Sequence, residues 1–293
     1  MKILVFGQRA KEEDLGYVAT LIKAATERSL DLCIYGPYDD ELASIGFTTS
    51  IQDKVYSYKD LKSERPDTVV TLGGDGTILK AITLIKELGI PILGINLGRL
   101  GFLASVEKKN IEQVVSDLAG DKYDVEERSL LSLECNLPIF GDTRFALNDF
   151  TITKRDNSSM ITIKTYIDDQ LMNTYWADGI IVATPTGSTG YSLSCDGPIV
   201  FPESSNFVIT PIAPHNLNVR PVVISDSKNI RFEIEGRAEN FLTTLDSRFE
   251  TITKDHIITI SKADFSIKLV HPEGSTFMQT IRSKLLWGLD MRN

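Results

Sequence analysis

The segment VVTLGGDGTILKAITLIKELG, which begins at Val69, constrains the fold more than any other part of the chain. A β-branched run precedes two glycines, and apolar residues then recur at helical spacing. The segment therefore predicts a buried strand, a tight turn and a helix. Such turns bind anions, because free N–H groups and the positive end of the helix dipole point at the ligand. This turn nevertheless carries a carboxylate, Asp75, at its centre.

The first third of the chain repeats the alternation of strand and helix. The strand patterns KILVFG, LDLCIYG, DTVVTLGG and IPILGINLG are separated by helical patterns such as residues 11–28. This alternation is typical of a parallel sheet covered by helices, in which ligands bind at the carboxyl ends of the strands. We therefore predict an N-terminal α/β, Rossmann-like nucleotide-binding domain over residues 1–122.

The pattern changes after a short predicted helix near residues 110–119. Short strand patterns follow, among them FALNDFTITK, MITIKTYID, GIIVAT and NFVITPI, with turn signals such as Asp168-Asp169 between them. They predict a β-rich, sandwich-like domain over residues 123–270. Helical spacing returns in residues 271–293, and we expect this segment to pack back on the N-terminal domain.

Composition excludes several classes of function. The chain has 293 residues and a net charge of −9, which argues against binding to nucleic acid or to an anionic membrane. Its apolar runs are too short to span a bilayer. Three widely spaced cysteines favour a reduced, cytoplasmic setting. Its histidines lack the spacing of metal ligands, so we expect no metal site built by the protein.

The glycine turn does not match the common nucleotide-binding motifs. The chain has no G-x-x-x-x-G-K-[ST], and no G-x-G-x-x-G follows the first strand. Gly73 and Gly74 allow close approach of a ligand, and Thr77 adds a hydroxyl. For Asp75, two interpretations fit the pattern equally well: an N-cap that stabilises the helix by about 1 kcal/mol, or a catalytic carboxylate.

A second loop of this kind begins at Asp178, with the sequence DGIIVATPTGSTGYSLSCDGPIV. We predict a strand over residues 179–184, a Ser/Thr/Gly loop, and a short helix from Tyr191 to Ser194. The loop is either a nucleotide site or an ordinary Ser/Thr-rich turn. Asn148-Asp149 is a third element, and it either ends a hairpin or grips ribose hydroxyls.

Over nearly its whole length the chain resembles the NAD kinases. GGDGT at 73–77 is shared with diacylglycerol, sphingosine and phosphofructo-kinases, whereas DGIIVATPTGSTGYSLSCDGP at 178–198 is far more specific. GINLGRLGFLA at 94–104, PIAPHNLNVRPVVI at 211–224 and the terminal IRSKLLWG also fit. The resemblance implies transfer of the γ-phosphoryl group of ATP to the 2′-hydroxyl of the adenosine ribose of NAD, which gives NADP.

The resemblance also implies roles for particular residues. Asp75 is the catalytic carboxylate, and Mg²⁺ or another divalent cation arrives with ATP. The NAD and ATP sites comprise Gly73, Gly74, Asp75, Gly76, Thr77, Asn148, Asp149, Asp178, Thr186, Thr189, Gly190, Tyr191, Ser192, Leu193, Ser194 and Ala213.

The sequence departs from the family pattern at three places. Asp149 replaces the usual glutamate and is one methylene shorter, and Gly190 replaces the usual alanine. The usual Asp-Gly near the end of the β-rich domain is Asp246-Ser247, which leaves the role of Asp246 open. None of these changes removes a chemical group that the reaction requires.

The expected partners are small molecules and further copies of the chain. The donor is ATP or polyphosphate, and the acceptor is NAD or NADH. The resemblance implies a homodimer or homotetramer formed through the β-rich domain. Two alternatives remain open: a lipid kinase of the diacylglycerol type, and a non-catalytic sensor that binds NADP(H).

Overall fold

The computed structural model describes residues 1–98, 101–155, 160–236 and 238–287. Arg99 and Leu100 of the 94–104 segment, and the terminal segment from Gly288 onward, lie outside the described residues. The chain divides into two compact units, residues 1–127 with 267–293, and residues 128–266. Among the described helices, none is both long enough and apolar enough to cross a bilayer.

The first unit is an α/β domain. Its strands include β1 (Lys2–Gly7), β2 (Asp31–Tyr35), β3 (Asp53–Val55), β4 (Thr68–Leu72), β5 (Ile92–Asn96) and β6 (Val106–Glu107). Its helices include α1 (Leu15–Glu27), α2 (Gly36–Ser44), α3 (Tyr58–Ser63), α4 (Asp75–Ile85) and α5 (Ile111–Ala119). The strands pair in the order β5-β4-β1-β2-β3, and every pairing is parallel. The predicted parallel sheet is confirmed.

The strand–turn–helix segment folds as its sequence predicts. All five residues of β4 are buried, as expected for a central strand of a covered sheet. The apolar face of α4 packs into the core through Ile78, Ile82 and Ile85. The helix gives way to a 3-10 turn at residues 86–88, and Gly89 adopts a left-handed φ of +63° that glycine tolerates best.

The second unit is β-rich, as predicted. Strands β7 (Tyr123–Cys135) and β18 (Ile258–Pro272) belong partly to each unit. Between them lie β8 (Phe145–Ala146), β9 (Asp149–Lys154), β10 (Ile161–Ile167), β11 (Gln170–Ala177), β12 (Gly179–Ala183), α6 (Tyr191–Ser194), β13 (Asn206–Ile212), β14 (Val222–Ser225), β15 (Ile230–Glu235), β16 (Phe241–Leu245) and β17 (Arg248–Ile252). Helix α7 (Phe277–Leu285) follows in the first unit.

Two antiparallel layers form the second unit. One has the order β14-β13-β12-β9-β16-β17, and the other contains β11, β10, β15 and the start of β18. Side chains from both layers share one core; for example, the rings of Phe150 and Phe232 lie 5.8 Å apart. The loop after β12 and the residues before β9 therefore rest on a rigid scaffold.

Candidate functional site

The glycine turn, residues 73–77, lies at the carboxyl end of β4. Gly73 has a φ of +150°, and a Cβ there would lie 2.2 Å from Oγ1 of Thr77, so only glycine fits. Gly74 is the N-cap residue of α4, whereas Asp75 is its first residue, and its carboxylate accepts from the N–H groups of residues 102–104. The interpretation of Asp75 as an N-cap is therefore wrong.

A cavity of about 420 Å³ borders the glycine turn. A Cβ added at Gly74 or Gly76 would meet no atom of the other described residues within 4 Å, apart from its chain neighbours and the backbone of α4, so both residues face space that a ligand can occupy. The cavity is lined by Gly73, Gly74, Gly76, Thr77, Gln8, Arg9, Lys11, Glu13, Asp14, Leu72, Asn96, Leu97 and Gly98. The sequence does not mark Arg9 and Lys11, because they belong to no motif and only the sheet order brings β1 beside β4.

Three backbone N–H groups hold the carboxylate of Asp75. Its Oδ2 accepts the N–H of Phe102 at 2.8 Å, and its Oδ1 accepts those of Leu103 and Ala104 at 3.1 and 3.0 Å. A Cβ on Gly101 would lie 1.7 Å from Oδ1, so this close approach requires glycine. A carboxylate has about four acceptor positions. The described residues fill three of them, and the fourth, on Oδ2, can accept from the hydroxyl of a ligand.

Asp246, whose role the sequence left open, orders the backbone around Asn148. Its Oδ1 accepts the N–H groups of Asn148 at 2.7 Å and Asp149 at 3.3 Å, and its Oδ2 accepts that of Leu147 at 3.1 Å. These bonds replace ladder hydrogen bonds. The single strand predicted over residues 145–154 is therefore wrong, since the chain forms β8 and β9 with Asn148 between them.

Asp149, the first residue of β9, is only 8% exposed. Burial raises its pKa to about 7, and the nearby charge of Asp246 also raises it. Gly190 lies beside it, because a Cβ on Gly190 would lie 3.8 Å from Oδ2 of Asp149. Hydrogen bonds donated to this carboxylate would favour its charged form. The position therefore suits a ligand that brings hydroxyl donors.

Residues 184–194, which we term the hydroxyl loop, follow β12. Oγ1 of Thr184 donates to the carbonyl oxygen of Leu147 and accepts the N–H of Gly187 at 3.1 Å. A Cβ on Gly187 would lie 1.9 Å from the carbonyl oxygen of Asn148, so glycine permits this contact. The hydroxyl loop and Asn148, which are separate motifs in the sequence, are therefore in contact in the structure.

The hydroxyl-loop residues expected to bind NAD differ in accessibility. Thr186 is buried and its Oγ1 accepts from Nη1 of Arg128 at 3.3 Å, while Oγ of buried Ser192 lies 2.8 Å from Oγ1 of Thr210. These hydroxyls shape the loop itself. The residues that remain accessible, wholly or in part, are Thr189, Gly190, Tyr191, Leu193 and Ser194.

Asp178, Tyr191 and Ala213 lie close to the ends of β12 and β13. Asp178 precedes β12 and forms an ion pair with Lys154 at 2.7 Å. Ala213 follows β13 directly and has a φ of +44°. Burial raises the pKa of Tyr191, and nearby acidic groups that include Asp149 and Asp178 raise it further. The half-exposed Tyr191 side chain is therefore within electrostatic range of both carboxylates.

Two family models match the chain. The ATP-NAD kinase N-terminal domain matches residues 15–123, and the ATP-NAD kinase C-terminal domain matches residues 147–272. Proteins named NAD kinase from Cytophaga hutchinsonii and Flavobacterium psychrophilum are 46% and 45% identical to this chain, and each alignment covers 100% of both sequences. The relative from Bacteroides fragilis strain ATCC 25285, with the same name, is 42% identical over 292 residues.

The solved structures that are similar to the chain include an NADH kinase and an NAD kinase. The yeast NADH kinase complexed with NADH has a TM-score of 0.87 and 23% identity, over 100% of this chain and 89% of that one. This likeness concerns the fold alone. An NAD kinase from Archaeoglobus fulgidus in complex with ATP has a TM-score of 0.76 and 26% identity, over 98% of this chain and 99% of that one.

Proposed function

Because the chain belongs to the NAD kinase family, we propose that it transfers the γ-phosphoryl group of ATP to the 2′-hydroxyl of the adenosine ribose of NAD, which yields NADP and ADP. The observation that carries this proposal is the match of the whole chain to a relative named NAD kinase at 46% identity. The complex of the Archaeoglobus fulgidus enzyme with ATP supports ATP as the donor.

The triphosphate of ATP binds at the glycine turn in this proposal. The open faces of Gly74 and Gly76 and the free N–H groups at the start of α4 support that position. Arg9 and Lys11 line the same cavity and add positive charge. Among the described residues, no group of three or more His, Cys, Asp or Glu is arranged to hold a metal ion. Mg²⁺ enters as part of the Mg-ATP substrate.

Asp75 orients the acceptor hydroxyl and receives its proton. The fourth acceptor position, on Oδ2, supports this role, because among the described residues only the N–H groups of residues 102–104 donate to the carboxylate. The 2′-oxygen attacks the γ-phosphorus, the bond to the bridging oxygen breaks, and ADP leaves. Phosphoryl transfer depends mainly on positioning and charge neutralisation, and the fixed carboxylate contributes to positioning.

Asn148 and Asp149 bind the adenosine part of NAD, and Gly190 and Tyr191 line its pocket. Each ribose hydroxyl that donates to Asp149 adds a charged hydrogen bond worth about 1.5–3 kcal/mol. The buried position of Asp149 and the contact between Gly187 and Asn148 support this assignment. Thr186 and Ser192 act indirectly, since their hydroxyls are bonded within the protein.

A homodimer or homotetramer formed through the β-rich unit completes the proposal. Large apolar side chains exposed on this unit support it, among them Leu171 at 57%, Trp176 at 51% and Phe249 at 70% exposure. Light scattering after size-exclusion chromatography will give the mass. A monomer at micromolar concentration would contradict this part of the proposal.

The free cysteines Cys33, Cys135 and Cys195 agree with a cytoplasmic location.

One set of assays tests the activity. The protein is incubated with Mg-ATP and NAD, NADH or diacylglycerol, and separately with polyphosphate and NAD, and the phosphorylated product is measured. We expect NADP from ATP and NAD. Phosphorylated lipid without NADP would establish a lipid kinase instead. Binding of NADP(H) without any phosphoryl transfer would establish a sensor, and either result would overturn the proposal.

A further inference from the structure

Three polar residues of the first unit form a line of contacts outside the proposed substrate sites. Nδ1 of His271 lies 3.1 Å from Oγ of Ser105, in hydrogen-bond contact. On the other edge of the same ring, Nε2 lies 3.2 Å from Oε2 of Glu126. The His271 side chain is 13% exposed and that of Glu126 is 34% exposed, so both interactions are partly shielded from water.

The register of the parallel sheet explains why Ser105 meets His271. Strand β5 pairs first with the end of β18, where Val270 lies opposite Leu93. It then pairs with β6, where Val106 lies opposite Ile95. Ser105 and His271 therefore both lie level with the intervening residue of β5. Their side chains are therefore hydrogen-bonded at the position along β5 where its pairing with β18 ends and its pairing with β6 begins.

The contact between Ser105 and His271 is adjacent to residues 102–104, the backbone segment that binds the carboxylate of Asp75. Ser105 directly follows Ala104, whose N–H donates to Oδ1 of Asp75 at 3.0 Å. The same backbone packs on Gly94 of β5, where an added Cβ would lie 2.8 Å from the Cα of Ala104. Ser105 and Gly94 therefore fix the carboxyl-terminal end of residues 102–104, the segment that binds the Asp75 carboxylate.

We propose that His271 is a positioning residue for the phosphoryl-transfer reaction. Glu126 orients its ring, the ring holds the Ser105 hydroxyl, and Ser105 fixes the N–H groups of residues 102–104 against the carboxylate of Asp75. The reaction itself rests on the proposed function. The anchoring of the loop does not, and it can be measured without substrate.

Hydrogen exchange of the backbone amides of residues 102–104 tests the anchoring. In Ser105→Ala and in His271→Ala, we expect exchange to be faster by about fivefold to tenfold, the factor for loss of one ordinary hydrogen bond. Ser105→Thr keeps the hydroxyl and should restore the slow exchange. Ser44→Ala, which removes an exposed serine hydroxyl bonded within its own helix, is the matched control and should change nothing at residues 102–104.

A double-variant cycle separates this contact from a general loss of stability. If Ser105 and His271 act through one bond, the double variant should exchange no faster than either single variant. The proposal would be overturned if the double variant exchanged faster than both single variants, by the product of their separate effects. Unchanged exchange in Ser105→Ala would also overturn it. So would equal acceleration across the whole sheet, because that indicates loss of overall stability.

Kinetics then connects the anchor to the reaction. We expect Ser105→Ala and His271→Ala to lower kcat by about tenfold with KM for NAD changed less than twofold, since the acceptor site is not altered. Ser105→Thr should recover most of kcat. Normal kcat in the alanine variants with fast amide exchange would show that the loop is anchored without positioning Asp75. If the wild type lacks kinase activity, the proposed function fails while the exchange result stands.

Discussion

Gly76 is the second residue of α4, and its Cα faces the cavity at the glycine turn. Outside the backbone of α4 itself, an added Cβ meets no atom of the described residues within 4 Å, so alanine fits the free protein. Alanine favours a helix over glycine by up to about 1 kcal/mol, and we expect about half of this in the first turn. Gly76→Ala should therefore raise Tm by about 1–2 °C.

The same methyl group should weaken ATP binding. It would occupy the space through which a phosphate oxygen approaches the N–H groups of the glycine turn. Loss of one hydrogen bond to a charged phosphate costs about 1.5–3 kcal/mol, which corresponds to an increase of roughly tenfold to a hundredfold in KM for ATP. KM for NAD should change by less than about twofold, because the proposed NAD-binding residues are not altered.

Gly16 provides a matched control. It is the second residue of α1 and is exposed, and outside the backbone of α1 an added Cβ there also meets no atom of the described residues within 4 Å. It does not line the cavity. Gly16→Ala should raise Tm equally and leave both KM values unchanged. Initial-rate kinetics and differential scanning fluorimetry decide the matter. If Gly76→Ala behaves like Gly16→Ala in both measurements, the phosphates do not bind at the glycine turn.

Three further predictions concern the carboxylates and the hydroxyl loop. Asp75→Asn should lower kcat by at least about a hundredfold and also lower Tm, because one amide oxygen cannot serve three N–H groups; near-normal turnover would refute the role of Asp75. With the pKa of Asp149 raised to about 7, NAD affinity measured by calorimetry should improve as pH rises from 6 to 8, because the charged form accepts the ribose hydroxyls. In the free protein, Asp149 keeps its proton in the folded state between about pH 4 and 7, so its contribution to the free energy of unfolding falls as pH rises through that range. Asp149→Asn should abolish both trends and Asp169→Asn, in an exposed turn, should preserve them. Gly190→Leu should raise KM for NAD more than KM for ATP, because a Cβ at this position would already lie 3.8 Å from Oδ2 of Asp149 and the larger side chain would crowd the pocket; equal effects would assign the hydroxyl loop to the wrong nucleotide.

Elements whose signals are local could be predicted from the sequence. Strand β4 and helix α4 follow from a β-branched run and a helical apolar period within a few residues of each other. Helix α6 forms over Tyr191–Ser194 as predicted, because glycine and Ser/Thr residues end the strand before it. The Asp168-Asp169 turn forms with positive φ at both residues. The pattern did not reveal short elements with few apolar positions, such as β3 and α3.

The candidate site could be predicted only in part. The glycine turn, Asp149 and the hydroxyl loop are visible because their residue types are unusual in their immediate context. Arg9 and Lys11 are ordinary surface cations in the sequence, and only the pairing of β1 with β4 places them at the turn. Thr186 and Ser192 looked like ligand-binding hydroxyls, yet neither sequence nor spacing shows that Arg128 and Thr210 engage them.

The sequence by itself determined which chemical groups the protein carries and which short segments present them. The tertiary structure alone decided which backbone N–H groups bind the carboxylates of Asp75 and Asp246. Asp75 is bound by backbone 27 to 29 residues away, Asp246 binds backbone 97 to 99 residues away, and Ser105 meets His271 across 166 residues. Backbone N–H groups are common to every residue except proline, so their use leaves no mark on the amino-acid pattern. Which N–H groups bind a given carboxylate depends on the strand register, and the register is set by packing across the whole unit.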